Sequence, residues 1–272
     1  MSEINPVHGL PQEWVDWLRL NQARGCDLSE LSQTARDAGY ALTAIQAVLD
    51  LQIDKETNSD GLERWMAPPI TNPLLYPLAE CIPTAQAQMY VISDFFNRND
   101  CQALIDCINQ ALVPSTVTHG PEDFRTSRTC HLADVKPEFI RLVDQRLSAL
   151  LGVDPAYSEP LQGQHYDLGQ YFRLHTDAFA PGTEEYRQHA CFGGQRTWTV
   201  MVYLNEVRCG GETRFPVLGQ CFSPQQGMVL AWNNLWADGR PNSATLHEAL
   251  PVLQGEKYVI TKWFRSRLGR SN

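Results

Sequence analysis

The 272-residue chain has eight cysteines and not one CxxC pair. Cys26, Cys81, Cys101, Cys107, Cys130, Cys191, Cys209 and Cys221 are scattered, which argues against a zinc site or a disulfide framework. Scattered thiols suit a reducing, cytoplasmic setting. No apolar run is long enough to span a bilayer, and the opening Met1-Ser2-Glu3-Ile4-Asn5-Pro6 lacks the basic and apolar regions of a secretion signal. Positive charge is scarce as well: 22 Lys and Arg face 31 Asp and Glu, a net charge of −9. That balance argues against non-specific binding to nucleic acid or to an anionic membrane. Internal repeats and low-complexity tracts are also missing. What remains is an ordinary globular composition, 43% hydrophobic and 19% charged, in a chain long enough for one large domain and a smaller appendage.

Three regions follow from the pattern. Residues 1–52 read as a small helical module: Pro11 opens a helical stretch through Trp14 and Leu18, Asp27-Leu28-Ser29-Glu30 offers caps for a second, and 43–50 carries a third apolar stripe at Ile45, Val48 and Leu49. Residues 53–87 form a proline-rich linker or arm, punctuated by Pro68, Pro69, Pro73, Pro77 and Pro83. Residues 88–272 hold the main domain. Two helices, one ending near Leu112 and one over 137–151 with Pro137 at its first turn, precede many short strands. The clearest strands are 197–205, 228–232 and 258–264. Supporting helices followed by short strands point to a mainly β fold, a double-stranded β-helix (jelly roll) of the cupin-like kind.

The chemistry gathers on His175-Thr176-Asp177. Two residues at i and i+2 of an extended strand share a face, so His175 and Asp177 could ligate one metal ion, with His247 the best-placed third ligand. Two histidines and one carboxylate with the opposite face open is the arrangement of non-haem Fe(II) oxygenases. His165-Tyr166-Asp167 is a rival motif, ranked lower because Leu168-Gly169 puts it at a strand end. Lys257 opens the strand 257–264, where Lys257, Val259, Thr261 and Trp263 share one face. An inward-facing Lys257 would need an anion, since burying an unpaired ammonium is costly. Lys257 and Trp263 could line one cavity, with Thr199 and Tyr166 as hydroxyl donors from neighbouring strands.

His175-x-Asp177, Gly210-Gly211-Glu212-Thr213-x-Phe215-Pro216, His247, Gly255-x-Lys257-Tyr258 and Thr261-Lys262-Trp263 together resemble the catalytic core of the 2-oxoglutarate- and Fe(II)-dependent prolyl 4-hydroxylase family, in its free-standing microbial form. The resemblance runs over roughly residues 88–267 and extends upstream to Arg125-Thr126-Ser127 and Glu159-Pro160-Leu161-Gln162. It implies that His175, Asp177 and His247 bind Fe(II), with no catalytic residue beyond the metal centre. It also implies that Lys257 holds the distal carboxylate of 2-oxoglutarate with Tyr166 and Thr199, and that Trp263 packs against that pocket. Arg125 and Glu159 match positions near the family's substrate groove. The implied reaction consumes 2-oxoglutarate and O2, releases succinate and CO2, uses ascorbate as reductant and hydroxylates a prolyl residue of a protein or peptide. Hydroxylation of a free amino acid or small metabolite, and a non-enzymatic ligand-binding jelly roll, are the alternatives. The acidic stretch 181–189 after the metal motif reads as a loop that selects substrate.

Overall fold

The computed structural model describes residues 10–23, 28–40, 45, 48–49, 68–115, 124–190 and 193–268. The chain divides into two compact units, Met1–Leu62 and Glu63–Asn272.

The first unit contains α1 (Gln12–Ala23) and α2 (Leu28–Asp37). Leu10, Val15, Leu18, Leu31, Ala35, Ile45, Val48 and Leu49 are buried together, with Trp14 and Tyr40 packed on them. The expected third helix over 43–50 lies, apart from Ile45, Val48 and Leu49, outside the described residues, as do Cys26, Cys191 and positions 53–67 of the proline-rich stretch.

The second unit is built on β1 (Ala79–Cys81), β2 (Met89–Ile92), α3 (Arg98–Asn109), β3 (Val113–Pro114), β4 (Arg128–His131), α4 (Pro137–Leu151), β5 (Gln162–Tyr166) and β6 (Phe172–His175). It continues with α5 (Glu184–Ala190), β7 (Arg196–Tyr203), β8 (Cys209–Gly210), β9 (Thr213–Phe215), β10 (Gln220–Phe222), β11 (Val229–Asn233), β12 (His247–Ala249), β13 (Val252–Gln254) and β14 (Lys257–Arg265). The large sheet runs β1-β2-β11-β7-β14-β5-β4-β3, the smaller one β10-β9-β12-β6, and β8 pairs with β13. The second half of the proline-rich stretch thus joins the domain, since β1 pairs antiparallel with β2.

Period-2 alternation explains the layering. On β14, Tyr258, Ile260 and Phe264 pack with Leu104 and Ile108 of α3 and with Val143 and Leu147 of α4. Val259 of the same strand packs instead with Met201 and Tyr203 of β7, Leu230 and Trp232 of β11, and Phe215 of β9. The large sheet therefore has helices on one face and the small sheet on the other, the two-layer arrangement of a jelly roll. With both faces covered, every residue of β14 is buried.

Local sequence sets the helix ends. The Asn97 side chain accepts from Asp100 N at 2.9 Å and caps α3. Pro137 occupies the first turn of α4, and Gly152 at φ 64° stops it, so the helix spans 137–151 as expected from sequence. Gly163 lets α3 approach β5: a Cβ there would lie 2.4 Å from Ile108 Cγ1. Lys262, on the helix-facing side of β14, is 1% exposed and pairs with Asp144 of α4 and with Ser158 Oγ at 2.5 Å. The stretch 181–189 departs from the expected loop. Thr183 Oγ1 accepts from Tyr186 N at 3.1 Å, Arg187 pairs with Glu184 at 2.8 Å, and α5 forms there.

Candidate active site

His175 and His247 stand directly opposite one another in the β6–β12 pairing, so their side chains share a face and their ring centroids lie 4.3 Å apart. The β6 ladder ends at His175, and Asp177 sits in a bend just past it. This corrects the expectation that one extended strand carries both motif residues. The bend still brings them together: His175 Nε2 lies 4.0 Å from Asp177 Oδ1, and His247 Nε2 lies 3.9 Å from Asp177 Oδ2. One donor atom from each residue lies within 4.8 Å of the others.

Each ring is oriented by the backbone two residues before it. His175 Nδ1 donates to Arg173 O at 2.7 Å and His247 Nδ1 to Thr245 O at 2.9 Å, which leaves both Nε2 lone pairs facing the carboxylate. Phe172 stacks on His175 at 3.7 Å, and Phe215 stacks on His247 at 5.1 Å. Burial, reinforced by His247 and partly offset by Asp177, pushes His175 down to about 3, so the ring is neutral and ready to ligate. Burial raises Asp177, but His247, His175, Arg196 and the Thr199 hydroxyl outweigh it and hold the carboxyl below its ordinary range. Two imidazole nitrogens and one carboxylate oxygen on a common point fit a divalent metal with open positions.

Behind this trio a cavity is lined by Gln164, Tyr166, Thr199, Met201, Thr213, Lys257, Thr261 and Trp263, among others. Lys257, 1% exposed, places Nζ 5.1 Å from the Tyr166 ring centroid and 5.4 Å from that of Tyr203. No carboxylate among the described residues lies within ion-pair distance of it. Burial pushes its ammonium down to about 7, with Glu212 opposing weakly. Tyr166 Oη donates to Gln164 Oε1 at 3.1 Å, and Gln164 Nε2 donates to Thr261 Oγ1 at 3.2 Å. The cavity floor therefore holds a buried lysine with no anion beside it.

The remaining expected residues divide. Trp263 lines the cavity beneath the Arg196 guanidinium, 4.2 Å away. Thr199 lines it too, but its hydroxyl donates to Asp177 Oδ2 at 2.6 Å and does not pair with Lys257 or Tyr166. Glu159 is held by Arg196 through two 2.6 Å bonds and by Arg265 at 2.7 Å, so its carboxylate is already occupied. Those two guanidinium groups outweigh the effect of burial and keep it below the usual range. Arg196 escaped the sequence reading; its position at the start of a strand, 37 residues after Glu159, carries no local signal. Arg125 is buried, with Nε on Ser127 Oγ at 2.9 Å, Nη2 on Thr129 Oγ1 at 3.2 Å, and its guanidinium 4.8 Å from the centroid of Phe172. Its charge also acts on Tyr166 and Asp177, so it borders the site both through Phe172 and electrostatically. The rival His165, Asp167 and Glu256 also gather within metal-binding distance. Arg128, however, already supplies the cation there, 2.8 Å from Asp167 and 3.0 Å from His165 Nδ1, on the sheet face opposite Tyr166.

Residues 161–265 match the family model of the 2OG-Fe(II) oxygenase superfamily. Prolyl 4-hydroxylase subunit alpha-3 of Bos taurus is 32% identical over 198 residues, covering 70% of this chain and 36% of that protein. Subunit alpha-1 of Rattus norvegicus is 30% identical over 181 residues, 64% of this chain and 34% of the relative. The chain thus spans about a third of the length of these curated relatives. Among solved structures, the viral collagen prolyl hydroxylase of Paramecium Bursaria Chlorella virus-1, in its 2OG complex, superposes with a TM-score of 0.53 at 26% identity, over 65% of this chain and 95% of that one. Fold, site and family match define a 2OG-Fe(II) oxygenase domain. Within that superfamily the domain is prolyl 4-hydroxylase-like.

Proposed function

We propose that this protein uses Fe(II) held by His175, Asp177 and His247, together with 2-oxoglutarate and O2, to hydroxylate a prolyl residue of a protein or peptide, and that ascorbate keeps the metal reduced. The observation that carries the reading is Lys257, a buried amine with no anion beside it at the floor of the cavity that the metal trio closes. A carboxylate-bearing co-substrate supplies the missing charge while its other end reaches the metal. Metal and co-substrate, when bound, bring the oxidative decarboxylation that yields succinate and CO2 and drives oxygen into a C–H bond.

The chain's own work is positional. The two backbone carbonyls fix the imidazoles, the Thr199 hydroxyl fixes the carboxylate, and Phe172, Phe215 and Trp232 shield the histidines from water. Trp263 and Arg196 form a wall of the cavity at the start of β7. The Arg196–Glu159–Arg265 cluster supports that wall, and with Arg125 it makes the electropositive side on which a peptide's carbonyls would settle.

The test is to incubate the protein with Fe(II), ascorbate and 2-oxoglutarate and to measure succinate, then to look for a gain of one oxygen on prolyl peptides by mass spectrometry. Turnover should require the peptide and vanish in His175→Ala along with metal binding. Lys257→Ala should retain the metal and need far more 2-oxoglutarate. Loss of metal in the lysine variant, or no succinate above background from the wild type, would overturn the assignment.

A further inference from the structure

Asn234 follows β11, fully buried, its own N donating to Thr197 O at 2.7 Å and its carbonyl accepting from Asn242 N at 2.8 Å. The first bond holds it against the start of β7, where Thr199 sits two residues beyond Thr197, and the second ties it to the loop at Asn242. The Asn234 Nδ2 amide donates to Thr199 Oγ1 at 2.8 Å, and Thr199 Oγ1 donates to Asp177 Oδ2 at 2.6 Å. Counting protons fixes the direction of this chain. An ionised carboxylate only accepts, so the single hydroxyl proton of Thr199 is committed to Asp177. The other group in contact with that hydroxyl must then donate, and in asparagine only the nitrogen can. Asn234 Oδ1 is left buried with no partner. A buried orphan carbonyl is destabilising, and an apolar side chain of the same shape would remove it. Its retention makes sense if the amide N–H serves something other than folding.

We infer that Asn234 is a positioning residue for the metal site: through Thr199 it anchors Asp177 Oδ2 and so fixes the orientation of the carboxylate that would hold the metal. The relay would keep the carboxylate turned toward the two imidazoles before any metal arrives. It also fixes the role of Thr199, which serves the carboxylate and not the floor of the cavity. The inference rests on the metal-site reading above, and the experiment separates the failure of one from the failure of the other.

Co(II) is titrated alone into metal-free wild type, Asn234→Leu, Asn234→Asp, Thr199→Val, Thr199→Ser and the Asn234→Leu/Thr199→Val double variant, following the visible absorption of the bound ion. Thermal unfolding is recorded without metal. Wild type and Thr199→Ser should bind alike. Asn234→Leu and Thr199→Val should each weaken Co(II) about 10- to 100-fold, the usual range for losing a partner that orients a ligand. The double variant should bind no more weakly than Thr199→Val, because one residue acts through the other. Asn234→Asp, whose carboxylate competes for the Thr199 proton, should weaken binding too, and it keeps the test open if Asn234→Leu does not fold. The unfolding temperature of metal-free Asn234→Leu should equal or exceed that of wild type. A purely structural asparagine predicts the reverse: a less stable variant with unchanged Co(II) affinity. Wild-type affinity in both Asn234 variants, or fully multiplicative losses in the double variant, would overturn the relay. No Co(II) binding by the wild type would instead sink the metal site itself.

Discussion

Filling the cavity with 2-oxoglutarate should draw a proton from solution, by an amount that depends on pH. The Lys257 side chain has no anion near Nζ, and burial brings it from 10.5 to about 7. At ~1.4 kcal/mol per pH unit, burial disfavours the ammonium by roughly 5 kcal/mol relative to water. A carboxylate docked on Nζ removes that bias and returns the group to its ordinary range. At pH 8 only about one empty site in ten carries the ammonium whereas nearly every filled one does, an uptake of about 0.9 proton; at pH 6 the uptake falls to about 0.1. The assay is anaerobic calorimetry of 2-oxoglutarate binding to metal-loaded protein in buffers of different ionisation enthalpy, where the slope of observed heat against buffer enthalpy counts protons. Lys257→Met should abolish the slope at pH 8. A flat slope in the wild type at pH 8, or one that survives in Lys257→Met, would refute the reasoning. The same group sets a stability trend. Its folded value lies below its unfolded one, so between about pH 7 and 10.5 the unfolded chain binds the extra proton, and the anion-free protein gains stability as pH rises through that window.

Two further outcomes concern the scaffold. Asp144→Ala strands the buried Lys262 and should cost about 3–5 kcal/mol in urea unfolding; adding Lys262→Met should recover most of it, and no recovery would mean that Asp144 acts otherwise. Gly163→Ala drives a methyl to within 2.4 Å of Ile108 Cγ1 and should cost about 1–3 kcal/mol, read as a lowered unfolding temperature. An unchanged temperature would show that α3 moves aside freely.

Much of the site was legible because it obeys local rules. Lys257 and Trp263 share a strand face by simple alternation, and the structure has both lining one cavity. The boundaries of α4 were written by Pro137 and Gly152. The metal motif was read through the wrong local conformation: the ladder ends at His175, and the bend at Asp177 comes from the tertiary context. What was not legible depends on partners far along the chain. Thr199 looked like a hydroxyl for the cavity floor, yet Asp177 and Asn234, 22 and 35 residues away, settle where its proton goes. Glu159 looked like a substrate contact until Arg196 and Arg265 arrived from other strands to occupy it. Pairings of this kind are set by sheet register, which single-sequence patterns leave free. The helix in 184–190 was hidden by its length, since seven residues give periodicity little room.

The two-faced packing of β14 has a consequence for how this domain can change. Substitutions along the strand are judged one face at a time, helix side or cavity side. Adding or deleting a single residue within Lys257–Arg265 would instead exchange the faces beyond that point, turning Lys262 toward the cavity and Trp263 toward α4. The charged group needed by Asp144 and the wall needed by the site would be lost together. This strand thus tolerates replacement but not a change of length, whereas the turn at Gly255 that precedes it has room for one, since nothing lies within 4 Å of the position a Cβ would take there.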